Sequence, residues 1–228
     1  MTTASTRPFV VAIDGPAGAG KSTVARGLAA RLDYTFLDTG ALYRSVALVA
    51  QRRHIAWEDA VRLSELARDF DVEFVREGDT LRVLANGDDV TQDIRNPDIS
   101  DGASRVSALP EVRQGLLGIQ RRVAARSSVV AEGRDIGTVV FPTAQAKFFL
   151  VANPETRARR RTLEMVAAGR PAAFEAVLAE LVARDARDSG RAVAPLRRAE
   201  DAVEIDSSGL NPGEVMERML AVVRARGG

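Results

Sequence analysis

The sequence contains a glycine-rich segment whose residue types suit it to hold phosphate. Residues 15–22, Gly-Pro-Ala-Gly-Ala-Gly-Lys-Ser, match the pattern G-x-x-x-x-G-K-[ST] in full. Glycines allow backbone N–H groups to converge on an anion, and a helix that begins at the end of the loop adds its positive end. Lys21 is suited to reach the β- and γ-phosphates, and the Ser22 hydroxyl to ligate Mg²⁺. The segment predicts binding of a nucleoside triphosphate, ATP in the first place, but kinases, GTPases and motor ATPases all share it.

Arginines at helical spacing form a second group of residues with possible chemistry. Two sets stand near the C-terminus: Arg157, Arg160 and Arg161 at i, i+3 and i+4, and Arg184, Arg187 and Arg191 at i, i+3 and i+7, with Asp185 and Asp188 beside them. The planar fork of arginine suits phosphate better than lysine does. Phosphoryl transfer to an anionic oxygen needs no strong base; it needs neutralised charge, alignment and exclusion of water. The arginines therefore favour a phosphotransferase.

The elements around these residues predict an α/β fold. An apolar, β-branched strand at 9–13 leads into the phosphate loop, and a helix follows over 21–32. Between residues 72 and 90 the pattern changes to short extended segments, with hairpin turns at 77–79 and 86–87. We therefore predict a parallel sheet flanked by helices, interrupted at 66–108 by a small inserted α+β subdomain.

Composition excludes several classes of protein. The 228 residues carry a formal net charge of +1, no cysteine, the single histidine His54, and lysine only at positions 21 and 147. Disulfides, thiolate zinc sites, cysteine nucleophiles and histidine metal clusters are excluded. The balanced charge argues against a nucleic-acid binder, no apolar run is long enough to cross a membrane, and residues 1–8 form a short tail without the pattern of a secretory signal. We expect a cytoplasmic protein.

Four segments together resemble the bacterial cytidylate kinases. They are residues 13–22, 37–44, 132–142 and 184–195, which include Asp-Thr-Gly-Ala-Leu-Tyr-Arg, Glu-Gly-Arg-Asp and Arg-Asp-Ala-Arg-Asp-Ser-Gly-Arg. The resemblance covers nearly the whole chain and implies ATP- and Mg²⁺-dependent phosphorylation of CMP and dCMP in pyrimidine nucleotide metabolism. It implies a P-loop kinase core at 1–65 and 109–228, a nucleoside-monophosphate-binding insert at 66–108, a short helical lid near 157–170, and a monomer that binds neither nucleic acid nor membrane.

The resemblance also assigns residues to roles. The ATP-binding residues would be Gly15, Ala17, Gly18, Ala19, Gly20, Lys21, Ser22 and Thr23. The catalytic residues would be Lys21, Arg134, Arg157, Arg160 and Arg191. The acceptor-binding residues would be Thr39, Arg44, Ser104, Arg113, Arg134, Asp135, Arg184, Asp188 and Arg191. Ser22 would ligate Mg²⁺, with Asp14 and Glu132 acting through water; strand-end capping is the alternative role of Asp14.

Within this assignment the CMP is divided among three groups of side chains. Arg44, Arg134 and Arg191 would hold its phosphate, and Arg184 and Asp188 its ribose. Ser104, Arg113 and Asp135 would read the cytosine. A carboxylate can accept from the N4 amino group of cytosine and an arginine can donate to O2 and N3, whereas uracil reverses the pattern at positions 3 and 4.

Three alternatives compete with this interpretation. Another small P-loop kinase, with a UMP or shikimate-type acceptor, would share Lys21 and Ser22 but need a different acceptor site. A GTPase requires an Asn-Lys-x-Asp motif, which lysines at positions 21 and 147 alone cannot form. An arginine-rich nucleic-acid binder would need a basic face with aromatic residues, yet aromatics are 5% of the chain.

Overall fold

The structure is a computed structural model that describes residues 8–77 and 80–228. Residues 78 and 79 of the predicted hairpin turn, and all but Pro8 of the predicted N-terminal tail, lie outside the described residues. The strands are β1 (Val10–Asp14), β2 (Thr35–Asp38), β3 (Val72–Glu77), β4 (Thr80–Ala85), β5 (Asp88–Asp89), β6 (Val129–Gly133), β7 (Ala146–Val151) and β8 (Val203–Asp206). The helices are α1 (Lys21–Leu32), α2 (Thr39–Arg52), α3 (Ala60–Arg68), α4 (Pro97–Val106), α5 (Pro110–Arg126), α6 (Pro154–Ala167), α7 (Phe174–Ser189) and α8 (Pro212–Ala225). None of the helices in the described part of the chain is both long and apolar enough to span a membrane.

The main sheet is parallel, as predicted. Within the described residues it has the strand order β2-β6-β1-β7-β8, with β1 at its centre. Val11, Ala12 and Ile13 of β1 are fully buried, because helices cover both faces of the sheet. The register pairs Asp14 with Gly133 and Asp38 with Glu132, so the carboxyl ends of β1, β2 and β6 lie side by side. In open α/β sheets this edge is the one that binds ligands.

An antiparallel sheet of β3, β4 and β5 interrupts the α/β pattern in the described part of the chain, where the sequence predicted it. Its buried side chains belong to the same hydrophobic cluster as those of the helices around it, for example Val83 of β4 with Leu42 of α2, Leu63 of α3 and Leu116 of α5. The boundaries 66–108 of a separate subdomain therefore stay a prediction.

The helices α6 and α7 pack against each other and against the phosphate loop. Ala158 of α6 and Val177 and Leu181 of α7 form one buried cluster with Ala17. The predicted helix over 174–189 is confirmed, and the lid predicted near 157–170 falls mostly on α6. This contact brings two arginine-bearing helices to the carboxyl edge of the sheet.

Asn-Pro pairs begin three of the helices. Asn96, Asn153 and Asn211 are N-caps whose side chains accept backbone N–H groups in the first turns of α4, α6 and α8. The sequence analysis did not identify α4, although Asn96-Pro97-Asp98 carries the same signal as Asn153-Pro154-Glu155. It also missed a π-helical turn at Ile136–Val140, which follows β6 and contributes to the site.

Candidate active site

The phosphate loop joins β1 to α1 and forms one wall of a cleft of about 530 Å³. Residues 17–23 line this cleft, so the predicted ATP-binding residues other than Gly15 all face it. Gly15 lies behind them, where an added Cβ would stand 2.0 Å from the Leu150 carbonyl oxygen. Only glycine allows the chain to pass this close to β7, and it thereby sets the start of the loop.

Lys21 lies inside the loop, buried to 5% exposure. Its Nζ donates to the Pro16 carbonyl oxygen at 2.7 Å. Burial, followed by the positive charge of Arg134, lowers the pKa of Lys21 to about 7, although Glu132 opposes the shift. The loop thus holds a poorly solvated amine whose protonated form would be stabilised by a polyphosphate.

Glu132 is an acidic residue of the site with a carboxylate oxygen free to accept a further hydrogen bond. It stands at the end of β6, lines the cleft and is 4% exposed. Burial and the nearby Asp38 raise its pKa, while Lys21 and the Ser22 hydroxyl oppose the shift. Its Oε1 atom has no hydrogen-bond partner among the described residues. A buried carboxylate oxygen that has no partner and lies close to the Ser22 hydroxyl is suited to accept hydrogen bonds from the water molecules that surround Mg²⁺.

The contacts of Asp14 favour its alternative role as a capping residue over the predicted link to Mg²⁺. Its two carboxylate oxygens accept the backbone N–H groups of Ile136 and Gly137, each at 2.7 Å. The residue is 3% exposed and does not line the cleft. Because both oxygens are used by the π-helical turn, Asp14 joins the end of β1 to the segment that follows β6.

A second part of the cleft is built around Asp188 of α7, which is 1% exposed. Its Oδ2 accepts from Arg134 Nε at 3.0 Å, and its Oδ1 from Arg191 and, at 2.9 Å, from the Ser104 hydroxyl. Arg184 Nε lies 3.9 Å from Oδ2. Burial alone would raise the pKa of Asp188, but the three arginines hold it below its ordinary value.

These arginines leave an excess of positive charge that faces the cleft. Burial and the adjacent Arg134 lower the pKa of Arg184 to about 10, and Arg44 and Arg191 contribute in the same direction. Arg44 itself pairs with Asp38 at 2.9 Å. A cluster in which guanidinium groups outnumber carboxylates is a binding site for an anion such as phosphate.

A buried ion pair between Arg113 and Asp135 forms the third part of the cleft. Arg113 also donates to the Ser107 carbonyl oxygen at 3.0 Å and stands 5.5 Å from the centre of the Tyr43 ring. The pair presents a carboxylate acceptor and guanidinium donors side by side, which is the arrangement predicted for cytosine. Ser104, predicted to read the base, lines the cleft but donates its hydroxyl to Asp188 instead.

The remaining predicted residues lie in different places. Thr39 lines the cleft, and its hydroxyl donates to the Glu132 carbonyl oxygen at 2.6 Å. Arg160 lines the cleft and donates to Ser207 through both terminal nitrogens.

Arg157, predicted to be catalytic, does not reach the cleft: it is 4% exposed and its guanidinium lies behind the phosphate loop. This placement does not support the predicted catalytic role, and it arises because packing of Ala158 on Ala17 turns this side of α6 inward.

The sequence analysis assigned no site role to Asp38, Tyr43 and Arg161, which also line the cleft. Tyr43 and Thr39 are four residues apart on α2, and Arg161 and Arg157 four apart on α6. Helical spacing could therefore have suggested Tyr43. It could not have distinguished Arg161 from Arg157, because only the packing of α6 decides which side faces the cleft.

A phosphate loop that faces an arginine-lined anion site at the carboxyl edge of one parallel sheet defines a P-loop kinase. A family model for cytidylate kinase matches residues 11–225. The cytidylate kinase of Syntrophotalea carbinolica is 53% identical over 220 residues, which covers 96% of this chain and 94% of that protein. Those of Geobacter sulfurreducens and Vibrio cholerae are 51% and 46% identical, covering 99% and 95% of this chain and 97% and 96% of theirs. The chain belongs to the cytidylate kinase family.

Proposed function

We propose that this enzyme transfers the γ-phosphoryl group of ATP to the phosphate of CMP or dCMP, giving CDP or dCDP. Family membership supports this acceptor over a UMP or shikimate-type one. The observation that carries the proposal is that one cleft holds the phosphate loop, the arginine cluster and the Arg113–Asp135 pair. The charges of Arg134 and Arg184 act on Lys21, and those of Arg113 and Asp135 act on Arg191, so the arginine cluster is close to both. A nucleoside monophosphate bound by its base at the ion pair would present its phosphate to the arginines and the triphosphate.

Base recognition rests on Asp135 and Arg113. The Asp135 carboxylate accepts from the N4 amino group of cytosine, and Arg113 donates to O2 and N3. Tyr43 supports the flat guanidinium of Arg113 from one face. Uracil offers a carbonyl at position 4 and an N–H at position 3, so it would leave both side chains mispaired in a buried site, which is costly.

Phosphoryl transfer is supported by charge rather than by a general base. Arg44, Arg134 and Arg191 hold the acceptor phosphate and reduce its repulsion of the triphosphate. Lys21 and Arg160 line the same cleft. They would approach from the donor side, so that positive charge would surround the transferred group. Arg184 and Asp188 hold the ribose. Asp188 needs little rearrangement, because it already accepts hydrogen bonds from Ser104, Arg134 and Arg191. Alignment of the two nucleotides in a closed cleft supplies the rest of the rate acceleration.

Mg²⁺ is the expected cofactor, held by the Ser22 hydroxyl and, through water, by Glu132. When bound, it neutralises charge on the β- and γ-phosphates. The insert at 66–108 is the proposed acceptor-binding subdomain, and α6 with the residues to 170 the proposed lid. We further propose that the protein acts as a monomer in the cytoplasm, on nucleotides rather than on nucleic acids or membranes, as expected for its family.

A coupled assay of ADP release tests the proposal. The enzyme is given ATP, Mg²⁺ and, one at a time, CMP, dCMP, UMP, AMP, GMP and shikimate. We expect fast turnover of CMP and dCMP, with UMP weaker by roughly two orders of magnitude, because one mispaired buried polar group costs about that much. Turnover of another acceptor with CMP inert would refute the acceptor site while leaving the triphosphate site in place.

A further inference from the structure

Arg157 and Asp185 form an ion pair behind the phosphate loop, and neither residue lines the cleft. Arg157 Nη1 stands 2.6 Å from Asp185 Oδ2, and the two side chains are 5% and 21% exposed. The same guanidinium donates to the Ala17 carbonyl oxygen and to the Ala152 carbonyl oxygen, both at 3.0 Å. One buried cation thus joins α7, the end of β7 and the phosphate loop.

The contact with Ala17 bears on how the loop presents its N–H groups. The Ala17 carbonyl and the Gly18 N–H belong to one planar trans peptide unit and therefore point in opposite directions. Because Arg157 holds the carbonyl from the side of the helices, the Gly18 N–H is directed away from them, toward the phosphates. An added Cβ on Gly18 would lie 3.1 Å from the Arg157 Cβ, so α6 and the loop are in tight contact here.

The position of Asp185 in the chain makes this contact unexpected. It directly follows Arg184 and stands three residues before Asp188, and both of those side chains belong to the acceptor end of the cleft. The Asp185 carboxylate instead faces α6 and orients Arg157. Its Oδ1 atom has no hydrogen-bond partner among the described residues, so Arg157 is the partner through which the carboxylate acts.

We propose that Asp185 and Arg157 are positioning residues that hold the backbone of the phosphate loop in its binding conformation. Their effect falls on the donor nucleotide, although Asp185 lies among acceptor-site residues. The inference rests on the proposed function for the identity of the two nucleotides. It predicts that loss of the pair weakens binding of the triphosphate and leaves binding of the monophosphate nearly unchanged.

The test uses Asp185→Asn and Arg157→Lys, with Arg187→Gln as the matched control. Arg187 lies on α7, as Asp185 does, and forms an ion pair with Asp101 of α4 at 2.7 Å, but it does not line the cleft. Titration calorimetry measures the Kd of the Mg²⁺ complex of the β,γ-imido analogue of ATP, and separately the Kd of CMP. We expect both variants to weaken the analogue by about tenfold, the size of one hydrogen bond, with CMP within about twofold of the wild type.

Two results would overturn the proposal. An analogue Kd within about twofold of the wild type would mean that the pair is only structural, and equal losses for the analogue and CMP would mean that α7 is disturbed as a whole. Circular dichroism checks folding, and Arg157→Lys, which keeps the charge but loses the planar fork, decides the matter if Asp185→Asn does not fold. Wild-type turnover of CMP tests the proposed function separately, since binding of the analogue requires no acceptor.

Discussion

Individual side chains in the cleft carry protonation states that burial has shifted. Lys21 is the clearest case, because desolvation lowers its pKa to about 7 when no polyanion is bound. A bound triphosphate stabilises the ammonium form and raises this pKa again. We therefore expect binding of ATP to be linked to uptake of a proton at a pH where Lys21 of the free enzyme is largely neutral.

The first prediction concerns this linkage. At pH 8, binding of the β,γ-imido analogue of ATP should take up a large fraction of a proton, because Lys21 passes from mostly neutral to mostly charged. Calorimetry in two buffers of different ionisation enthalpy measures the uptake, which should shrink toward pH 6, where Lys21 is already protonated. Lys21→Met should abolish it and lower kcat by roughly 10²–10³-fold. Equal uptake by the variant would assign the proton to another group.

The second prediction concerns Asp135, the carboxylate proposed to read the base. Asp135→Asn keeps the shape of the side chain but replaces an acceptor-only group with one that also donates. Its amide can donate to O4 of uracil, so the ratio of kcat/KM for CMP to that for UMP should fall by about 10²-fold. The KM for ATP should stay near the wild-type value, because Asp135 belongs to the acceptor end. Equal losses for CMP and UMP would show that Asp135 only supports Arg113.

At the scale of elements, the π-helical turn at Ile136–Val140 connects the two halves of the site. It follows Arg134 and Asp135, and its first two N–H groups are bound by Asp14 at the end of β1. Burial raises the pKa of Asp14 to about 7, although the two N–H donors act in the opposite direction. The central strand and the acceptor-site segment are thus fixed to each other by one titratable group.

The third prediction follows from this raised pKa. Between about pH 4 and pH 7 the folded state holds a proton that the unfolded state has released, so the contribution of Asp14 to stability falls as the pH rises. The free energy of unfolding of the wild type minus that of Asp14→Asn should therefore fall over this range, by up to about 4 kcal/mol. Urea unfolding at several pH values measures it, with the exposed Asp69→Asn as control. Parallel curves for wild type and Asp14→Asn would contradict the assignment.

Sequence patterns predicted most of these elements because the patterns are local. The strand–loop–helix at residues 10–32 and the change of period near residue 72 need no knowledge of the rest of the chain. The π-helical turn could not be predicted, because its N–H groups are satisfied by Asp14, more than 120 residues away. The inward direction of Arg157 likewise depends on packing of Ala158 against Ala17, which the arginine spacing does not contain.

On the scale of the whole molecule, positive charge is concentrated in the cleft between the helices and the sheet. The net charge of the sequence is only +1. The arginines of the cleft nevertheless outnumber the carboxylates that pair with them, so they lower one another's pKa. Beside the cleft runs a groove of about 930 Å³, which is lined by residues of β4 and α4 and by Arg161, Glu164 and Arg170. Arg170 already donates to the Arg95 carbonyl oxygen at 3.3 Å across this groove.

The fourth prediction is that the two nucleotides together narrow the groove. Anions bound in the cleft attract arginines that line the groove, and the cost of closing is repaid only when donor and acceptor are both present. The chain has no cysteine, so spin labels at Asp88→Cys in the exposed β5 and Arg159→Cys on the exposed side of α6 report on the distance without background. We expect the distance to shorten most with CMP plus the β,γ-imido analogue of ATP, and less with either alone. An unchanged distance would show that the cleft is already in its reactive form, and the alignment of the two phosphates would then have to come from fixed residues such as Arg134 and Arg191 alone.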